Sequence, residues 1–219
     1  MIAARRRAEM VARMRNLAQA GGPPRSDGPR APAQERCDIC HTTIPDDHRH
    51  MLHLVDRRII CTCEACWALY SGNAEYRPTG MRTLWLDEFR CDDEIWAAFQ
   101  IPIGLAFFMR STVTDSVVAF YPSPAGATES ELTLEAWEAL VQVNPALEQL
   151  EPDSEALVVN RMADPAEYAI VPIDQCYALV GLIKSRWEGI SGGDAIAEAV
   201  PQFFAGVRAR AIRASEVIR

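Results

Sequence analysis

Apolar positions along the chain fall into three regimes. Over residues 1–20, Met10, Val11, Met14 and Leu17 recur at helical spacing among arginines, which predicts a short basic amphipathic helix. From Gly21-Gly22-Pro23-Pro24 to Pro29 and Pro32, proline and glycine are too frequent to pack, and residues 1–36 read as a flexible basic tail. After Arg36 the pattern becomes that of a folded chain. Residues 49–55 and 58–62 are strand-like around Asp56-Arg57 and suggest a hairpin, and residues 66–70 read as a short helix stopped by Ser71-Gly72-Asn73.

Beyond residue 80, strands and helices are interspersed. Residues 82–89 read as a strand and 92–99 as a short helix with Ile95, Trp96 and Phe99 on one side. The near-continuous apolar runs 103–109 and 116–121 suit strands covered on both faces. Thr133 is placed to cap a helix with Leu134, Trp137, Leu140 and Val141 inward, ending before Asn144-Pro145. Residues 155–160 and 168–171 supply two further strands. Asp174 is positioned to cap a helix whose Cys176, Val180, Ile183 and Trp187 form one stripe, with Gly189 as its stop. A last helical region, broken or kinked at Pro201, presents Ile196, Val200, Phe203, Phe204 and Val207. The expected fold class is α+β: an N-terminal treble-clef-like zinc finger at residues 37–80, then a mixed α+β domain at 81–219.

Composition agrees with a folded protein, with 219 residues, 49% hydrophobic and 24% charged. No apolar run approaches the roughly 20 residues of a membrane-spanning helix. No uninterrupted apolar stretch follows Arg5-Arg6-Arg7, so a secretory signal is not expected and the cytoplasm is the default compartment. The formal net charge of -8 divides into +5 over residues 1–36 and -13 over the remainder. An acidic body repels phosphate, which disfavours a nucleic-acid partner.

Cysteine and histidine carry the chemistry. Nine of the eleven such residues lie between positions 37 and 66: Cys37, Cys40, Cys61, Cys63 and Cys66 with His41, His48, His50 and His53. In a reducing compartment this density points to metal ligation and away from disulfides. Cys37-x2-Cys40 and Cys63-x2-Cys66 can each aim two sulfurs at one ion, and two such pairs make a tetrahedral site, with Zn2+ the favoured guest. Four thiolates also serve iron or an iron–sulfur centre. Cys61 is surplus: it packs in a strand, replaces one of the four, or joins an iron–sulfur set. His41, His50 and His53 are the other alternates. On a strand, His48 and His50 share a face with Leu52 and Leu54, while His53 lies with Arg49, Met51 and Val55. The histidines read as the shell around the finger, or with Cys61 as a second, labile site for a transition metal such as nickel.

Elsewhere candidate chemistry is sparse. Residues 121–130 are small, turn-rich and hydroxyl-bearing, and read as a loop leading into the Thr133 helix, without the spaced glycines and lysine of a P-loop. Cys176 sits on an apolar stripe and Cys91 beside Asp92 and Asp93, so both read as structural. Catalysis is not the expected role.

Several segments together resemble a known family. They are Cys37-x2-Cys40, Cys61-Thr62-Cys63-Glu64-Ala65-Cys66, Ile101-Pro102-Ile103-Gly104-Leu105-Ala106-Phe107-Phe108, Tyr121-Pro122-Ser123-Pro124-Ala125-Gly126, Val171-Pro172-Ile173-Asp174-x-Cys176-Tyr177 and Trp187-x-Gly189-x-Ser191-Gly192-Gly193. The chain after residue 36 resembles an uncharacterised bacterial domain-of-unknown-function family that occurs in gene clusters of actinobacterial-type, high-affinity NiFe-hydrogenases. The resemblance supplies no activity and only a neighbourhood, which adds weight to reading the cysteine pairs as those of a non-catalytic zinc-binding accessory or assembly protein that binds a hydrogenase subunit or maturation factor. A small electron-transfer protein with rubredoxin-like iron or an iron–sulfur centre in the same cysteines is the alternative.

Overall fold

The computed structural model describes residues 34–130, 132–187 and 194–213. The amphipathic pattern of residues 1–20, the linker and the Gly189 stop lie outside the described residues. Within them the elements run β1 Arg49–His53, β2 Arg58–Thr62, α1 Glu64–Tyr70, β3 Tyr76–Pro78, β4 Leu84–Trp85, α2 Asp93–Ala98, β5 Leu105–Ser111, β6 Ser116–Ser123 and β7 Gly126–Ser130. They continue with α3 Leu134–Val143, a 3-10 turn Pro145–Gln149, β8 Glu155–Asn160, β9 Glu167–Pro172, α4 Ile173–Arg186, α5 Asp194–Arg210 and β10 Ile212–Arg213.

A seven-stranded sheet in the order β10-β4-β9-β8-β5-β6-β7 organises the molecule, antiparallel except where β10 meets β4. Side chains alternate across a strand, and here both faces are apolar. Leu105, Phe107 and Met109 of β5 join Ala156, Val158, Ala169 and Val171 on one face, under Cys176, Leu179, Val180 and Ile183 of α4 and Val200, Phe204 and Val207 of α5. Ala106 and Phe108 join Leu157, Val159, Tyr168 and Ile170 on the other face, under Ala136, Trp137 and Leu140 of α3. That double cover is the physical reason for the unbroken apolar runs.

Several expectations change at element ends. The strand expected over 82–89 narrows to Leu84–Trp85, because Asp87 and Glu88 turn into solvent and Phe89 folds back onto the Tyr168 ring at 4.5 Å. Residues 121–130 are no loop: Tyr121 pairs with Thr128 and Ser123 with Gly126, and the turn closes with Gly126 at φ 123°, a conformation suited to glycine. Thr133 does cap α3, accepting from the Ala136 amide, but Leu134 is 61% exposed because it precedes the buried stripe. Asp174 does not cap α4. Pro172 holds that position, and Asp174 lies in the first turn, facing β1. Helix α5 runs through Pro201 without a break.

The hairpin β1–β2 and β3 form a second sheet in the order β2-β1-β3. It leans on the large sheet's core: Leu52 and Leu54 are buried with the α4–α5 face. The Tyr177 hydroxyl donates to the Arg57 carbonyl at 2.5 Å, and Arg57 pairs with Glu129 of β7 at 2.6 Å. These contacts place β1 beside the start of α4.

Candidate metal centre

The first cysteine pair sits in a tight turn. The Cys37 amide donates to the Thr42 carbonyl at 2.9 Å, and His41 to the Cys37 carbonyl at 2.8 Å. A β-bridge joins Arg36 to Thr43. His41 ends the turn at φ 61°, exposed. The knuckle is then tied to β2, since the Asp38 amide donates to the Cys61 carbonyl at 2.8 Å and the Asp38 carboxylate accepts from the Cys61 amide at 2.7 Å.

The second pair opens α1. Cys63 is its N-cap, with its sulfur accepting from the Cys66 amide at 3.4 Å. The helix is seated on β1 by Arg49, whose guanidinium lies 4.3 Å over the Trp67 ring while Nε donates to Glu64. Thr62, buried, donates its hydroxyl to the Arg49 carbonyl and holds the strand that delivers Cys63.

The sulfurs of Cys37, Cys40, Cys63 and Cys66 all lie within 4.8 Å of one another, and all four cysteines are free thiols. Cys40 and Cys63 Sγ are 3.7 Å apart. Zn–S bonds of about 2.3 Å set tetrahedral sulfurs about 3.8 Å apart, whereas a disulfide holds them at about 2.05 Å. Spacing and donor chemistry therefore fit a four-thiolate metal site. Electrostatics agree. Burial pushes the Cys37 thiol up, but hydrogen bonds from the backbone at Cys40, Cys63 and Ile39 outweigh it and bring the thiol down to about 6. Burial, helped by hydrogen bonds with the other three thiols, pushes Cys66 up to about 12. Burial and crowding oppose the ionisation of all four thiols together, and a bound cation relieves that conflict.

The alternates are placed elsewhere. Cys61 stands outside this tetrad and groups with His48 and His50, whose ring nitrogens lie within 4.8 Å of each other and of its sulfur. His50 is opposite Cys61 in the hairpin register. His53 turns the other way, 3.1 Å from the Asp56 carboxylate and against the Tyr76 ring. His50 Nδ1 is 3.1 Å from Asp174 Oδ2, and that hydrogen bond raises its pKa against the opposing effect of burial. Burial raises the Cys61 pKa too, assisted by Asp38, Glu35 and Cys37. The sequence placed His48 only within the histidine group as a whole, and it gave Asp174 the role of a helix cap and not of a site residue. The i, i+2 spacing of His48 and His50 was the available signal for the first, and none existed for the second.

Both cysteine pairs and the strands β1 to β9 fall within one family match. The family described as "Family of unknown function (DUF5947)" covers residues 36–211. The chain belongs to this family. The DUF5947 match thus starts one residue before the knuckle and ends at Ala211, between α5 and β10. Comparisons with curated proteins and with solved structures give no match. Among the described residues, no helix is long and apolar enough to cross a membrane.

Proposed function

We propose that this DUF5947 chain is a non-catalytic zinc-binding accessory protein, in which Cys37, Cys40, Cys63 and Cys66 hold one structural zinc ion and the lobe they clamp presents a surface to a protein partner. The convergence of the four free thiols carries this reading. Knuckle, hairpin and a cysteine-capped helix follow in treble-clef order, and a lobe whose own apolar cluster is only Cys37, Ile44 and Cys66 with a few half-buried neighbours needs an ion to stay folded. Cys91 and Cys176 support a role without thiol chemistry in the large domain: burial pushes Cys91 up to about 11 and Cys176 well above its usual range. The partner we propose is a NiFe-hydrogenase subunit or maturation factor in the cytoplasm, supported by the sequence resemblance described above.

Elemental analysis of freshly prepared, reduced protein should find about one tightly held zinc per chain, lost in Cys40→Ser. A zinc content unchanged by Cys40→Ser would remove the tetrad from the reading. Cys40 is exposed, as an electron-transfer site requires, so a visible band bleached by dithionite would favour iron in the same cysteines. Pull-down of the tagged chain from its native host should retain a hydrogenase subunit or maturation factor, and its absence would count against that partner while leaving the metal centre standing.

A further inference from the structure

A second polar cluster lies beside the tetrad and is not explained by it. His48 carries its side chain at 5% exposure, and its Nδ1 is 2.8 Å from the Pro45 carbonyl and 3.3 Å from Glu35 Oε2. A carbonyl oxygen can only accept, so Nδ1 bears the hydrogen, and in the neutral imidazole that binds a metal Nε2 offers its lone pair. That Nε2 is buried and has no hydrogen-bond partner among the described residues. A buried acceptor left without a partner is destabilising. His50 repeats the arrangement, with Nδ1 directed to Asp174 Oδ2, and its ring stands 4.6 Å from that of His48 in an edge-on pose. Asp174 Oδ1 is likewise buried and unpartnered among the described residues. Cys61 supplies a thiol within 4.8 Å of a nitrogen of each ring.

We propose that His48, His50 and Cys61 form a second metal site, for a late first-row divalent ion such as zinc, cobalt or nickel. Two imidazoles and a thiolate are the donors such ions prefer. Each imidazole is braced at Nδ1 by an oxygen, the outer-shell arrangement that orients metal-bound histidines. A bound dication balances the charge of the thiolate that Cys61 becomes on ligation, and the part-buried Asp174 carboxylate stands behind His50. Three protein donors leave one tetrahedral position for a water or an incoming ligand, as in open zinc sites. This site therefore holds its ion less tightly than the four-thiolate centre, and exchanges it. Asp38, bonded to both the backbone amide and the carbonyl of Cys61, links the two centres through the knuckle. Asp174 is a positioning residue: it steers His50 and couples the site to the first turn of α4.

The test uses the full chain, reduced and equilibrated by dialysis with free zinc. Wild type should take up about two ions and His48→Gln and Cys61→Ala about one each, the tighter ion staying in place. Retention of that ion and an unchanged far-ultraviolet circular dichroism spectrum show that the variants fold. Cobalt titration gives a second readout, with a later set of visible bands in wild type that both variants lack. Asp174→Asn should keep the two-ion capacity but weaken the second ion about 10-fold or more. Either donor variant holding as many ions as wild type would overturn the site, and an Asp174→Asn affinity equal to wild type would overturn the role given to that carboxylate.

Discussion

At the residue scale, the acid most committed to structure is Glu155 at the start of β8. Its side chain is 1% exposed, and both carboxylate oxygens are claimed by Arg82, Nε to Oε1 at 2.7 Å and a terminal nitrogen to Oε2 at 2.9 Å. The same guanidinium donates to the Gln149 carbonyl, and the Glu151 amide donates to Oε2. Gly80 is packed against this pair, since a Cβ there would stand 2.8 Å from Glu155 Cγ and 3.1 Å from the Ser154 carbonyl. Removing one member of a buried pair strands the other's charge, so Arg82→Ala should cost about 3 kcal/mol. A urea unfolding curve would show this as a lower midpoint with unchanged slope. A shift of only a few tenths of a kcal/mol would mean that water reaches Glu155 and replaces the guanidinium.

At the element scale, the proposed metal site makes the knuckle and α1 depend on an ion, whereas the hairpin between them does not. The knuckle keeps its shape through the Cys37 amide to Thr42 and the Ile44 amide to Glu35, and its apolar support is small. The hairpin is held by Leu52 and Leu54 in the large core and by Tyr177 at its turn. Binding energy of a structural ion is local folding energy. Stripping the metal with a chelator should therefore expose the Cys37, Ile44 and Trp67 amides to hydrogen exchange, while amides paired between β5 and β8 stay protected. Protection that survives chelation at Ile44 would show that the knuckle folds without its ion.

For the whole molecule, the central issue is whether the finger is an appendage or part of one core. Residues from Glu35 onward cluster into one compact unit, and Leu52, fully buried, belongs to the face covered by α4 and α5. Leu52→Ala should cost about 2–5 kcal/mol, through lost apolar burial and the cavity left behind. Because the cavity opens into the sheet's own core, the loss should appear in the unfolding of the entire protein as one shifted transition. Calorimetry in which the main transition stays at the wild-type temperature would instead make the hairpin an independent lobe. The same coupling gives the metal lobe a route to the rest of the chain: β1 carries Leu52 into the core and His50 to Asp174 on α4.

Local patterns in the chain were enough for the strands of the sheet centre, for the cap Thr133, and for the grouping of Cys37, Cys40, Cys63 and Cys66. Each is encoded over a few residues: alternation buried on both faces, a side-chain acceptor before a helix, two short cysteine spacings. What they left undecided depends on contacts across long separations. Asp174 looked like a helix cap because an acid before an apolar helical stripe has that local signature; only the docking of β1, 124 positions away in sequence, made it the partner of His50. Residues 121–130 read as a loop because their pairing energy comes from β6 and not from their own small side chains. Whether Cys61 belonged with the other sulfurs or with the imidazoles was decided by hairpin register, which sets it opposite His50 and outside the tetrad it packs against.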